Sequence, residues 1–304
     1  MVNSNLWEAE WDMTEQKAFA LISGQFPQLA SKPVRKLGYG WDNSVFLVGE
    51  EYAFRFPRRK VAVPLLNMEA KVLPLLEPYV PIPYPKPLFI GAGEGDYPAP
   101  FLGYRYLQGH SPMGLRDERR VRSAAELARF LRMLHSFPVE KAEEYGVQQD
   151  HRNLTDILQR KRKMDDYLSK VSAYLNEEED GKIRDYLDRL TVDRVEPKHV
   201  FLHGDLHFKN ILVDASGLVS GIIDWGDMNI GHPGGDLSIG YSFLPPHARS
   251  DFFDQYGGAD EETRILARFV AVFIPMLILM QAIDEGDARV AAEAKATIMR
   301  ALSD

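Results

Sequence analysis

Residues 199–227, HVFLHGDLHFKNILVDASGLVSGIIDWGD, set apolar triplets between loops dense in Asp, His, Gly and Asn, inside a half of the chain that otherwise carries helical periodicity. Triplets of this kind are too short for helices and read as strands. A β-like island within a helical half constrains the fold more than any other feature. Its polar loops are where chemistry is expected.

Upstream the pattern differs. After an amphipathic stretch from Glu15 to Phe26, residues 34–59 alternate apolar and polar side chains around turn signals at Gly38, Gly40 and Gly49, as antiparallel strands do. Helical spacing covers Leu65 to Leu76. The passage YVPIPYPKPLFIG must run extended, because each proline fixes its own φ and restricts the residue before it. FLGYRYLQG then reads as another strand, and from Ser123 the chain is mostly helical: AAELARFLRMLHSF, Leu154 to Leu175, and Lys182 to Leu190.

No fixed-period repeat or low-complexity tract interrupts this order. The chain has 304 residues, and single cores stop growing at roughly 250–300 residues, so two lobes are expected. The change of character near Gln108 to Met113 divides them into residues 1–108 and 109–304. The fold class expected is α+β: a small antiparallel-sheet N-terminal lobe and a larger, mainly helical C-terminal lobe.

Composition excludes several functions. There is no cysteine, which removes disulfides, thiolate metal sites and cysteine catalysis. A formal charge of -8 offers no basic surface for nucleic acid. The N-terminal sequence carries acidic residues where a secretory signal has a positive region and an apolar run, so a cytoplasmic protein is expected. The most apolar stretch, Phe269 to Ile283, contains Pro275 and Gln281 and is shorter than the ~20 residues a membrane span needs. It reads as a buried helix, with no membrane partner. Nothing in the sequence speaks to oligomeric state.

Within the island, His203-Gly204-Asp205 is followed by Asn210 and then, beyond two strands, by Ile223-Asp224-Trp225-Gly226. Phosphoryl transfer needs a carboxylate for the attacking hydroxyl's proton, oxygen ligands for magnesium, and cationic support for the phosphates. Asp205 supplies the first; the amide oxygen of Asn210 and the carboxylate of Asp224 are hard ligands suited to Mg2+. A loop between two strands can turn Asp205 outward and bring Asn210 back toward Asp224.

HGDLHFKNILVD and IIDWGD followed by GHPGGDLSIGY closely resemble the aminoglycoside phosphotransferase family and related antibiotic or metabolite kinases. The resemblance covers nearly the whole chain. It implies a protein-kinase-like fold of two lobes, a hinge receiving the base of ATP or GTP, and a substrate pocket in the helical lobe. It also implies Asp205 as catalytic aspartate, Asn210 and Asp224 as metal ligands, and His203 as a brace for the catalytic loop. Gly38 and Gly40 stand where a kinase covers the phosphates, with Asn43 in place of a last glycine. Arg55 stands where kinases usually have a phosphate-contacting lysine, and Glu69 where its ion-pair partner belongs. Tyr104 and Tyr106 fall on the hinge, offering main-chain groups to the base. Asp236 reads as a loop anchor and N-cap candidate, Asp227 as facing either magnesium or acceptor, and His207 as loop structure near the phosphates.

The acceptor is expected to be a small hydroxylated molecule met by the last third of the chain. Asp251, Asp254, Asp260, Glu261, Glu262, Asp284, Glu285 and Asp287 would suit an aminoglycoside, and the apolar run Val270 to Met280 a macrolide. For both, solvated charge and ordinary core are the stronger reading. Two other classes stand beside the kinase: a non-catalytic nucleotide-binding pseudokinase, and a metal-dependent hydrolase built on His199, His203 and His207.

Overall fold

The alternation in residues 34–57 becomes three antiparallel strands, β1 (Val34–Tyr39), β2 (Asn43–Val48) and β3 (Tyr52–Pro57). The computed structural model describes residues 9–40 and 42–304. Trp41, and the first eight residues on which part of the N-terminal reading rests, lie outside the described residues. With β4 (Pro87–Gly91) and β5 (Phe101–Arg105), the strands form one sheet in the order β1-β2-β3-β5-β4.

Period-two alternation sends Phe46, Phe54 and Phe56 to one face, where they cluster with Phe101 and with Ala18, Leu21 and Ile22 of α1 (Glu15–Gln25). Thr14 starts α1 by accepting the N–H of Lys17. The other face of β3 carries Arg55 to helix α2 (Ala62–Val72), where Leu66, Glu69 and Val72 are buried. Pro74 then tightens the chain into a single 3₁₀ turn, Leu73–Leu76.

The chain divides into two compact units, Met1–Pro78 with Tyr84–Leu107, and Tyr79–Pro83 with Gln108–Asp304. The start of the proline-rich passage therefore packs with the second unit. Pro83 has no N–H to give, but its carbonyl accepts the N–H of Ile222 at 2.9 Å, and the Tyr79 ring meets Phe137 edge-on.

The second unit is helical: α3 (Asp117–Arg120), α4 (Ala124–Leu134), α5 (Val139–Glu144), α6 (Ile157–Val171) and α7 (Glu177–Arg189) precede the island. Helix α7 begins ahead of Lys182 because Asn176 and Glu179 form a capping box over an acidic first turn that has no apolar rhythm. The island holds β6 (Val200–Leu202), β7 (Ile211–Val213), β8 (Val219–Ile222) and β9 (Asn229–Gly231), paired as two ribbons, β6 with β9 and β7 with β8. Short helices α8 (Gly234–Leu237) and α9 (Ile239–Ser242) lead to α10 (Arg249–Tyr256), α11 (Glu261–Glu285) and α12 (Ala288–Leu302).

Pro275 does not break the apolar stretch: α11 runs through it for 25 residues. The missing N–H costs one helical bond to Ala271, which burial of Val270, Val272, Phe273 and Met276 in the common core outweighs. Its length and mean hydropathy of 2.1 match those of a membrane span, yet 67% of that window is buried within the protein, against α6, α7 and α12.

Candidate active site

The loop after β6 is built by local hydrogen bonds. The main-chain N–H of Asp205 donates to Nδ1 of His203 at 3.3 Å, so the ring carries its hydrogen on Nε2, which donates to Ile223 O at 3.0 Å. His203 is fully buried with its ring against Trp225, and braces the loop as expected. The same logic gives His207 a definite task. Its Nδ1 accepts from Lys209 N–H, leaving Nε2–H to face Asp205 Oδ2 at 3.2 Å.

Asn210 returns to Asp205: its Nδ2 donates to Asp205 O at 2.8 Å and lies 3.2 Å from Oδ2. With the amide nitrogen so used, the amide oxygen is the atom left to offer a cation. Asn210 O also accepts the N–H of Ile223, which places Asp224 one step past the β7–β8 ladder from Asn210. Asp224 is exposed and sits at φ 64°, a left-handed conformation that Asp tolerates better than most residues and that marks functional turns. An amide oxygen and a carboxylate, both hard donors, fit magnesium, which takes one or two protein ligands and completes its shell with water and phosphate.

Burial acts to raise the Asp205 carboxyl, but the His207 ring, Arg152 and His203 outweigh it and hold the group well below the usual carboxylate range. The loop turns at Gly204, φ 84°, where a Cβ would lie 2.1 Å from Asp227 O; only glycine permits this approach.

Two residues at this site, Arg152 and His135, escaped the sequence reading, in which a third, Asp236, stands as a loop anchor and N-cap candidate. Arg152 reaches Gly204 O at 2.9 Å and Asp227 Oδ1 at 2.7 Å. Asp236 is no N-cap: it lies inside α8, and its buried carboxylate accepts the main-chain N–H of His203 at 2.8 Å and of Gly204 at 3.0 Å. His135 approaches the same carboxylate at 3.3 Å while bonding Tyr256 through its other nitrogen. Burial works against the Asp236 charge, but these donors hold its carboxyl below its ordinary value. Arg152 and His135 carry no motif; their roles arise from where the chain passes.

In the first unit, β3 is an interior strand between β2 and β5, and Arg55 is only 8% exposed. Its Nη1 and Nη2 donate to the two oxygens of Glu69 at 2.8 and 2.9 Å, the fork geometry that a lysine cannot make. The β1–β2 hairpin closes through Gly40 N–H to Asn43 O. Neither Gly38 nor Gly40 stands at a positive φ, and a Cβ at either meets no described atom within 4 Å. Glycine at these positions leaves open space rather than relieving a strained turn. Arg58 and Arg59 hold this hairpin: Arg58 donates to Gly40 O at 2.8 Å, and Arg59 pairs with Asp42.

The hinge reading needs correction. Tyr106 N–H donates to Glu51 O, continuing the β3–β5 ladder. Because peptide groups alternate sides along an antiparallel strand, Tyr104, opposite Ala53, also turns its main chain toward β3. Arg105 turns its own the other way, toward β4, where Pro87 brings no N–H.

Neither acceptor signal survives intact. Asp260 and Asp287 are the N-caps of α11 and α12, and Asp260 also pairs with Lys198. The two acidic groups stand at opposite ends of a helix about 37 Å long, so they line no common pocket. The apolar run is core. His199, His203 and His207 bond to Gln149, Ile223 O and Asp205 respectively, and no cluster of three or more metal-ligating side chains occurs among the described residues.

The profile of the phosphotransferase enzyme family matches residues 33–268, most of the chain, from the start of the first sheet into α11. The chain belongs to this phosphotransferase family. Solved structures with a kinase-like fold agree. The GDP and kanamycin complex of an aminoglycoside 2″-phosphotransferase shares 26% identity over 93% of this chain and 97% of that one, with a TM-score of 0.68. Macrolide 2'-phosphotransferase type I, at 20% identity over 94% and 98%, and TM-score 0.59, shares the fold. So does macrolide 2'-phosphotransferase MphH from Brachybacterium faecium, at 18% identity over 87% and 91%, and TM-score 0.56. This phosphotransferase is thus a kinase-like enzyme of the aminoglycoside phosphotransferase type.

Proposed function

We propose that the protein moves the γ-phosphate of ATP or GTP to a hydroxyl of an aminoglycoside or macrolide-like antibiotic in the cytoplasm. The observation that carries this reading is the triad of oxygens at the island: Asp205 hydrogen-bonded to Asn210, with Asp224 across the adjoining ladder. Asp205 orients the acceptor hydroxyl and takes its proton. Asn210 and Asp224 are the residues that would hold Mg2+, which when bound screens the charge of the β- and γ-phosphates. Arg55, held by Glu69, serves the phosphates, and the open flank at Gly38 and Gly40 admits them. The base is met by main-chain groups of Arg105 and Leu107, the hinge residues that parity turns away from β3.

An aminoglycoside acceptor is supported by the 26% identity to a kinase solved with GDP and kanamycin, and the same complex makes GTP as strong a donor candidate as ATP. The test is a coupled nucleotide-consumption assay with magnesium, running ATP and GTP in parallel against kanamycin, other aminoglycosides, macrolides and small hydroxylated metabolites. Phosphorylated kanamycin, or another phosphorylated antibiotic, is the expected product. Turnover of metabolites alone moves the acceptor class; magnesium-independent turnover, or none with any acceptor, overturns the reading.

A further inference from the structure

Arg152 takes no part in the reaction as described, yet the fold builds it into the catalytic loop from outside. Its segment is fixed first. Asp150 N–H donates to Ile230 O at 2.8 Å and Ile230 N–H to Gln148 O at 2.9 Å, so the segment lies along β9 as an added rung. The Asp150 carboxylate then accepts the N–H of Arg152 at 2.8 Å and of Leu154 at 3.1 Å, and Leu154 is buried in the helical core. From this platform the guanidinium spans two loops. Its Nη1 donates to Gly204 O at 2.9 Å and lies 3.5 Å from Asp205 Oδ1, while its Nη2 lies 2.7 Å from Asp227 Oδ1.

We propose that Arg152 is a positioning residue for the transfer: it locks the loop carrying Asp205 to the loop that follows Asp224. Both loops already touch at Gly204, and a planar fork is the side chain that can serve acceptors on each of them at once. A lysine, as a point charge, serves one. The lock keeps base and cation-holding carboxylate at a constant separation while a hydroxyl is engaged, and it acts through Asp205 without touching the reacting atoms. The proposal rests on Asp205 being the base.

Two readouts on the full chain test it. In Arg152→Ala, amide exchange in peptides covering residues 203–210 and 225–229 is expected to speed by about tenfold, with the remainder of the second unit exchanging as in the wild type. With kanamycin, or water, as acceptor, kcat should fall by about 100-fold while the nucleotide KM stays within about twofold, the signature of a misplaced group rather than lost binding. Arg152→Lys should recover part of kcat. Unchanged exchange in both segments overturns the lock, as does acceleration spread over the whole unit with a lowered melting temperature. Unchanged kcat despite faster local exchange overturns its part in transfer. A wild type that binds magnesium nucleotide but transfers to nothing sinks the assignment of Asp205, and exchange still decides the lock.

Discussion

Asp205 receives donors on both carboxylate oxygens, His207 and Asn210 on one and Arg152 on the other. Such a group is arranged to be charged and aimed rather than to hold the fold. Replacing it with Ala should lower kcat by about 10³-fold and leave nucleotide affinity nearly unchanged, because a base acts in the transition state. Isothermal titration beside steady-state kinetics reads the two effects separately; parallel losses would point to a structural role. Glu69 is the opposite case. It is 1% exposed and takes both arms of Arg55, so Glu69→Ala removes one partner of a buried pair. A loss of about 3 kcal/mol in thermal unfolding is expected, and a change below about 1 kcal/mol would show that the site relaxes around the lost charge.

Among elements, the island strands are too short to hold their own loops. Leu202 ends β6, and the next two main-chain N–H groups are taken by Asp236 from α8 rather than by another strand. Helix α8 therefore anchors the catalytic loop from beneath. Helix α7 depends on its cap in a simpler way. Asn176 accepts Glu179 N–H while the Glu179 side chain accepts the N–H of Asn176, so Asn176→Ala should lower stability by about 1 kcal/mol. Urea unfolding should show a lower midpoint at unchanged slope; an unchanged midpoint would mean that Ile183 and Leu187, in the core, hold α7 alone. Periodicity told that α7 exists but not where it starts, because EEED before Gly181 has no apolar residue to count.

At the scale of the whole molecule, His232 is an acid-sensitive point away from the site. His232 is 5% exposed, with Nδ1 accepting Gly234 N–H and Nε2 buried without a partner among the described residues. Burial, helped by the charge of Lys198, pushes its ring down to about 4. The unfolded chain takes up this proton near 6.5, so between there and about 4 the unfolded state binds more protons. Stability thus falls as pH falls through that window, by on the order of 2 kcal/mol at its lower end. His232→Asn keeps the acceptor for Gly234 and removes the titration. Its melting temperature should fall less steeply than the wild type's between pH 6.5 and 4; parallel curves would exclude His232 as the cause.

Spacing along the chain determined the strands of the first unit, most helices of the second, and the grouping of Asp205 with Asn210 and Asp224. It could do so because the bonds that join His203 to Asp205 and Asn210 to Asp205 span two and five residues, short enough for local geometry to dictate. Other partnerships join distant points: Asp236 to His203 across 33 positions, Arg152 to Asp205 across 53, Arg120 to Glu293 across 173. No pattern of residue types announces these. Hinge parity belongs with them. Each follows from which segments lie side by side, and only burial of the common core settles that.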